Sequence, residues 1–505
     1  MHVERDVKSE GSKFSWSETT TGKVPTEQLP CRRRAIADKT RLAFDFCPAC
    51  TMMDIEKMDI PTLVSALVGI LVIMISSIFY FTRKQNEDLS VEELSEENEQ
   101  AAGDAPKVEE TRKIGKNKKN EQWKPKVKDV SYEHKWFVTT LKGHTADITG
   151  LDFAQDGKRL VTVSSDRAAF LWDVRDFEEK EHKCVRQILD FDTATKVSFA
   201  PDCKSIVFAM KRSNKLTVFK LVKKEPGSAY KFVHVENVSF PSAHTLDISH
   251  CGISSTGKFL MSASPDMKIV LYDIHGTILK VLEPKLSSLF DAVLSPDGRF
   301  VAACGFTPDV LVYEVTFNRE GIFQDAKKAF NLKDHNSGVF CVAFNSDSSR
   351  AVTVSRDGFW RVFDTDIRYQ AGQEAQMLNK GEWKALRGAS ADRVRLAISP
   401  SGGSFAVACG STLKVFSSED DDADFPELPE IHADQRVHVI RYSPCGRLIA
   451  TCGDRYVRIF RNIPEYHSQV VRLGKSLKDV TGDAPKRRIQ EQIDEAKRVL
   501  EKYSV

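Results

Sequence analysis

The sequence predicts an all-β protein: a seven-bladed propeller with an N-terminal transmembrane helix and a C-terminal amphipathic helix. Three observations predict this. Residues 60–81 are uncharged, one pattern recurs seven times between 141 and 462, and apolar spacing turns helical after 483. These divide the 505 residues into a disordered tail at 1–59, an anchor at 60–81, a charged disordered linker at 82–134, the propeller at 135–462 and a helical segment at 463–505. With 73 basic against 71 acidic residues the net charge is +2, which excludes a uniformly basic nucleic-acid binder and a wholly acidic disordered chain. The 11 cysteines are too sparse for a disulfide scaffold and follow no metal-ligand spacing, so most read as buried thiols.

The run at 60–81 (IPTLVSALVGILVIMISSIFYF) contains no charged side chain. At about 1.5 Å per helical residue, 22 residues cover the roughly 30 Å of a hydrocarbon core. Arg83 and Lys84 follow at once, whereas Asp54, Glu56 and Asp59 accompany Lys57 on the other side. Positive-inside logic therefore places the C-terminal bulk in the cytosol. Before the span, Cys47 and Cys50 imitate a redox CxxC pair, but no helix start or βαβ pattern surrounds them to activate a thiol. A start at Met52, Met53 or Met58 would leave a compact signal anchor with a short lumenal end.

The linker is acidic between 87 and 99 and basic between 107 and 128. Neither block has enough apolar residues to fold alone. The basic block reads either as a solvated tether or as a contact for RNA phosphates or anionic lipid. In the second reading Lys113, Lys116, Lys118 and Lys119 supply charge, and Trp123 stacks on a base or rests at an interface.

From 141 onward the repeat is a His or small polar turn, an alternating apolar run, a tight Asp or Gly turn, a second run, a polar turn, and a third run ending in an aromatic. The copies occupy 141–174, 189–221, 241–274, 282–315, 332–365, 386–418 and 429–462. Their terminal aromatics Trp172, Phe219, Tyr272, Tyr313, Phe363, Phe416 and Phe460 lie 41 to 53 residues apart, the length of a four-stranded blade. Period-two alternation with Asp156-Gly157, Asp297-Gly298 and Cys445-Gly446 turns makes these runs strands and hairpins, the pattern of a WD40 propeller.

Its signature residues are expected to hydrogen-bond in series: turn His, strand Ser, turn Asp and strand Trp. Blade one offers His144, Ser164, Asp166 and Trp172; blade three offers His244, Ser264, Asp266 and Tyr272. Blade five offers His335, Ser355 and Asp357 but ends in Phe363, which has no donor, so its network is expected to be truncated. Blades two, four and six lack the histidine and are expected to rely on apolar packing. Closure of the disc is expected from 135–141, as the outer strand of the last blade. The histidines are expected to be structural rather than metal-binding or catalytic.

After 462 the strand pattern stops. Ile489, Ile493, Ala496, Leu500 and Tyr503 then recur at spacings of four and three, an amphipathic helix with Asp483 able to cap it and Pro485 suited to its first turn. It either docks on the propeller flank or forms a short coiled coil. No enzyme constellation is present: Gly474-Lys475-Ser476 resembles the end of a phosphate loop, but Gln469 stands where its first glycine belongs. No catalytic residue, cofactor site or metal site is therefore assigned.

Two stretches carry a family resemblance. Cys304-Gly305-Phe306-Thr307-Pro308-Asp309-Val310, with Phe323-Gln324 and Ala329-Phe330 soon after, resembles the transducin beta-like protein 2 family. So does Cys452-Gly453-Asp454-Arg455 through Phe460. The likeness runs from 58 to 503 and departs in the first 57 residues and in the acidic insert at 419–424. The resemblance implies a WD-repeat protein anchored in the endoplasmic reticulum membrane and facing the cytosol. It further implies association with the stress kinase PERK and support of translation during the unfolded protein response. Asn237-Val238-Ser239 is a glycosylation acceptor inside the array and stays bare if the propeller is cytosolic.

Overall fold

The computed structural model describes residues 132–503 except 180, 191, 224, 226–228, 367–373, 421–422, 433–435 and 481. The tail, the predicted span at 60–81 and the linker bases lie outside the described residues. Among the described residues no helix is long and apolar enough to cross a membrane.

Seven antiparallel sheets follow one another along the chain. Blade one is typical, with strands Ile148–Phe153, Arg159–Ser164, Ala168–Asp173 and Cys184–Ile188 in that order from the axis outward. Its second strand is buried throughout while its fourth alternates exposed and half-buried, as expected of a sheet covered on both faces near the axis and open at the rim. Between the first two strands, Gly157 takes φ 67° and its amide donates to Ala154 O (2.9 Å). In blade two Cys203 holds the equivalent left-handed position at φ 54°, so glycine is favoured there without being required.

The first strands of all seven blades contact their neighbours in a closed ring. Core clusters lie between adjacent blades: Val161, Val163 and Leu171 of blade one meet Val197, Phe199 and Phe208 of blade two. The ring is completed where Leu151, Leu160 and Trp172 meet Val439, Ala450 and Ile459. The last sheet is formed by Val439–Tyr442, Leu448–Cys452, Tyr456–Arg461 and, from the other end of the chain, Phe137–Lys142. In that outer pairing Thr139 faces Ile459 and Leu141 faces Val457.

Blade six departs from four strands. Among the described residues its third strand, Thr412–Ser417, meets a single outer bridge, Leu413 with Leu428, through reciprocal hydrogen bonds of 2.9 and 2.8 Å. Helix α1 (Ile463–Asp479) lies against the second and third strands of this blade. The attachment is polar and buried: Asn462 Nδ2 donates to Ser404 Oγ (2.9 Å), Ser404 donates to Glu465 Oε2 (2.9 Å), and Ser468 donates to Gly403 O (2.5 Å). Polar contacts of this kind are invisible to an apolar periodicity: the helical segment expected at 463–505 carried a resolved apolar stripe only after 483. Gly474-Lys475-Ser476 sits inside α1, with Lys475 paired to Glu419 (3.3 Å), so it forms no phosphate loop.

Helix α2 (Asp483–Tyr503) starts at Asp483 with Pro485 in its first turn. Ile493 and Ala496 are buried, and Val499, Leu500 and Tyr503 pack on the core between blades six and seven. Trp136 Nε1 donates to Tyr503 O (3.2 Å). The predicted apolar stripe is therefore spent on α1 and, at its C-terminal end, on the propeller flank.

Candidate functional site

The signature turns are the place to look for chemistry, because each brings an imidazole and a carboxylate together. In blade one His144 Nδ1 lies 3.0 Å from Asp166 Oδ2, and His144 Nε2 lies 2.8 Å from Thr162 Oγ1. Trp172 Nε1 donates to the same hydroxyl (3.0 Å). Only one tautomer satisfies all three contacts: Trp172 donates to Thr162, Thr162 to His144, and His144 to Asp166. The carboxylate also accepts the amides of Thr145 (2.9 Å) and Ala168 (2.9 Å), so it ties two loops together.

This corrects the expected place of the serines. Ser164 is not between histidine and indole; it donates to Ala146 O (2.9 Å) and accepts the Asp166 amide (3.1 Å). Thr162, two residues earlier on the same strand face, takes the central position. Trp172 pairs with Leu160, so its indole spans one diagonal step to Thr162 and stops short of Ser164. The other blades repeat the correction. Ser262 lies 2.7 Å from His244 Nε2 and 3.2 Å from Tyr272 Oη, while Ser264 bonds Leu246 O. Thr353 lies 2.7 Å from His335 Nε2, while Ser355 bonds Ser337 O. His244 faces Asp266 at 3.2 Å and His335 faces Asp357 at 3.1 Å.

The network of blade five ends at Phe363 as expected, yet gains a residue at its other end. Arg361 pairs with Asp357 (3.2 Å) and contacts the His335 ring. Blade seven contains the same arrangement, which the sequence reading missed. His432 lies 2.9 Å from Asp454 and 3.2 Å from Thr451, and Arg458 pairs with Asp454 at 2.8 Å. The signal was present, since His432 and Asp454 are separated by the same 22 residues as the other three pairs. In these two His–Asp blades, whose strand ends in Phe, an arginine two residues earlier supplies the donors. Blade two replaces the histidine by Asp192, which accepts from the amides of Thr193, Arg212 and Ser213, so it is pinned by hydrogen bonds as well as by apolar packing.

Burial holds all four imidazoles below their ordinary value of 6.5, against the pull of the facing carboxylates. Burial acts to raise the Asp454 carboxyl, but the hydrogen bond and charge of His432 and the charge of Arg458 outweigh it and bring it down to about 2. Both signs give one expectation. An unfolded histidine takes up a proton near 6.5 and a folded one only at lower pH, so stability is full above that value and falls on acidification. The Asp454 contribution is present above 3.8 and is lost as pH falls through about 2. Guanidinium unfolding between pH 8 and pH 4 tests the first window. Stability rising as pH drops through 6 would contradict it.

Every side chain in these sets is committed to another member or to a loop amide. Among the described residues no group of His, Cys, Asp or Glu is placed to hold a metal ion. All eight described cysteines are free; Cys304, Cys341 and Cys452 are buried, and burial pushes the Cys452 thiol up to about 12. Lys113, Lys116, Lys118, Lys119 and Trp123 lie outside the described residues. The glycosylation acceptor Asn237 is exposed.

The family described as "WD domain, G-beta repeat" matches residues 135–173, 236–273, 326–364 and 429–461. These are the four blades that hold a His–Asp pair. The chain is 34% identical to human "Transducin beta-like protein 2" over 388 residues, covering 76% of this chain and 86% of the human protein. It is 35% identical to the mouse protein of the same name over 397 residues, covering 78% and 88%. It is also 25% identical to a "Guanine nucleotide-binding protein subunit beta-like protein" of Encephalitozoon cuniculi over 134 residues, covering 25% and 37%.

Proposed function

The chain belongs to the transducin beta-like protein 2 family, and from that premise we propose that it is a non-enzymatic scaffold tethered to the endoplasmic reticulum membrane. Its propeller faces the cytosol, engages a PERK-type stress kinase and supports translation during the unfolded protein response. One observation carries the reading: a 22-residue uncharged run followed by Arg83 and Lys84 stands ahead of a disc of WD repeats. The polar residues of the signature turns are consumed in holding the blades, which supports a role in contact rather than in reaction. Tethering supplies effective concentration at the membrane surface without any additional contact.

Co-precipitation from stressed cells tests this. The full-length chain should enrich the kinase over an unrelated anchored propeller, resist alkaline carbonate extraction, and remain unglycosylated at Asn237. Absence of enrichment overturns the partner, release by carbonate overturns the anchor, and a glycosidase-sensitive mass shift at Asn237 reverses the orientation. An RNase arm addresses a second reading, which the base-rich block at 107–128 favours: association with RNA or ribosomes. Enrichment that disappears with RNase, or with Lys113, Lys116, Lys118 and Lys119 all replaced by Gln, assigns the contact to RNA.

A further inference from the structure

The ring of first strands encloses an axial lumen, and its charges are not those of a packed core. Lys196 stands on the first strand of blade two, Arg395 on that of blade six and Arg441 on that of blade seven. Blades two and six are not neighbours, so their first strands face each other only across the axis. Burial, and then the positive charges of Arg395 and Arg441, push the Lys196 ammonium down to about 8.

The carboxylates of the lumen already have partners. Asp291 holds His250 Nε2 (2.8 Å) and accepts the Val342 amide (3.2 Å). Asp152 accepts the Phe199 amide (2.8 Å) and lies 3.6 Å from Arg441 Nε. Arg395 is left with carbonyls: His438 O (2.9 Å), Val394 O (2.6 Å) and Ala391 O (3.2 Å). Among the described residues no carboxylate or other acceptor pairs with the Lys196 ammonium. Lys196 thus faces the enclosed space without a paired carboxylate, while Arg395 is bonded to carbonyls with Asp291 near enough to feel its charge, and Arg441, about half exposed, is paired with Asp152. Unpaired charge out of bulk water is costly and is relieved by an anion that takes several hydrogen bonds at once. A tetrahedral oxyanion suits this set, with a guanidinium fork and an ammonium as a point charge.

We propose that the axial lumen is a phosphoryl-binding site, in which Lys196 and Arg395 hold the oxyanion and Arg441 draws it in. The inference does not rest on the kinase reading, because its probes contain no kinase. Two sources share the chemistry: free phosphate, and a phosphoserine side chain presented by a peptide.

Calorimetric titration of the purified full-length chain, in nonionic detergent and phosphate-free buffer at constant ionic strength, tests it with inorganic phosphate and with a phosphoserine tetrapeptide. Saturable binding of at least one probe is expected. Lys196→Met and Arg395→Met should each weaken it at least tenfold, and Lys196→Arg should keep it. Binding of phosphate identifies the free anion as a sufficient ligand; binding of the peptide alone identifies a side-chain source. A purely structural Lys196 would give a lower melting temperature on change to Met. The proposal expects an unchanged or higher one in phosphate-free buffer, because an unpaired, half-buried charge is removed. No saturable binding of either probe, or undiminished binding in Lys196→Met, overturns the site.

Discussion

A chain lacking residues 136–141 should not show the cooperative unfolding transition of the intact protein. Those residues supply most of the strand that pairs with Tyr456–Arg461 and joins the two ends of the repeat array. Trp136 and Leu141 are 2% and 1% exposed, and losing two such side chains costs about 3–6 kcal/mol at about 1.5–3 kcal/mol each. The deletion also leaves Tyr456–Arg461 as an open edge, a template for aggregation. It frees the end of α2 as well, since the Trp136 indole is bonded to Tyr503 O. Against a total of roughly 5–15 kcal/mol for a domain, the sum is enough to open the disc. Guanidinium unfolding followed by tryptophan fluorescence checks this, and a midpoint equal to that of the intact chain would refute closure by this strand.

Asp454→Ala should damage its signature turn more than the equivalent change in blade one. Its partner Arg458 has a side chain only 4% exposed, and His432 is fully buried. Removing one member of a buried ion pair leaves an uncompensated charge, at a cost of about 3–5 kcal/mol. Asp166→Ala in blade one removes the same loop tie but faces a neutral imidazole, with no arginine bonded to the carboxylate. Its cost should be the smaller penalty of unsatisfied buried donors, about 1–3 kcal/mol. Adding Arg458→Leu to Asp454→Ala should recover part of the loss. Equal destabilisation by the two alanine changes, or no recovery in the double variant, would remove the distinction between arginine-linked and indole-linked blades.

The histidine–aspartate pairs of blades one, three and five were legible from the repeat signature, and His432 with Asp454 shares their separation of 22 residues. Arg361 and Arg458 gave no comparable warning. On a strand an arginine reads as a surface residue, and only the carboxylate beside it explains its burial. The central hydroxyls were misplaced for a geometric reason: Ser164 and Thr162 lie on one strand face, and the reach of Trp172 selects between them.

Sequence by itself determined the repeat number, the strand-turn punctuation, the closing segment near 135–141 and the apolar face of α2. Each of these is a local periodicity or a recurrence along the chain. Tertiary structure alone decided that α1 packs on blade six, that the α2 face is shared between α1 and the flank, and that Lys196, Arg395 and Arg441 stand on first strands around one lumen. The reason is that a propeller brings first strands from distant repeats around one axis. Charges far apart in the chain become neighbours through closure of the ring, which no spacing in the sequence records.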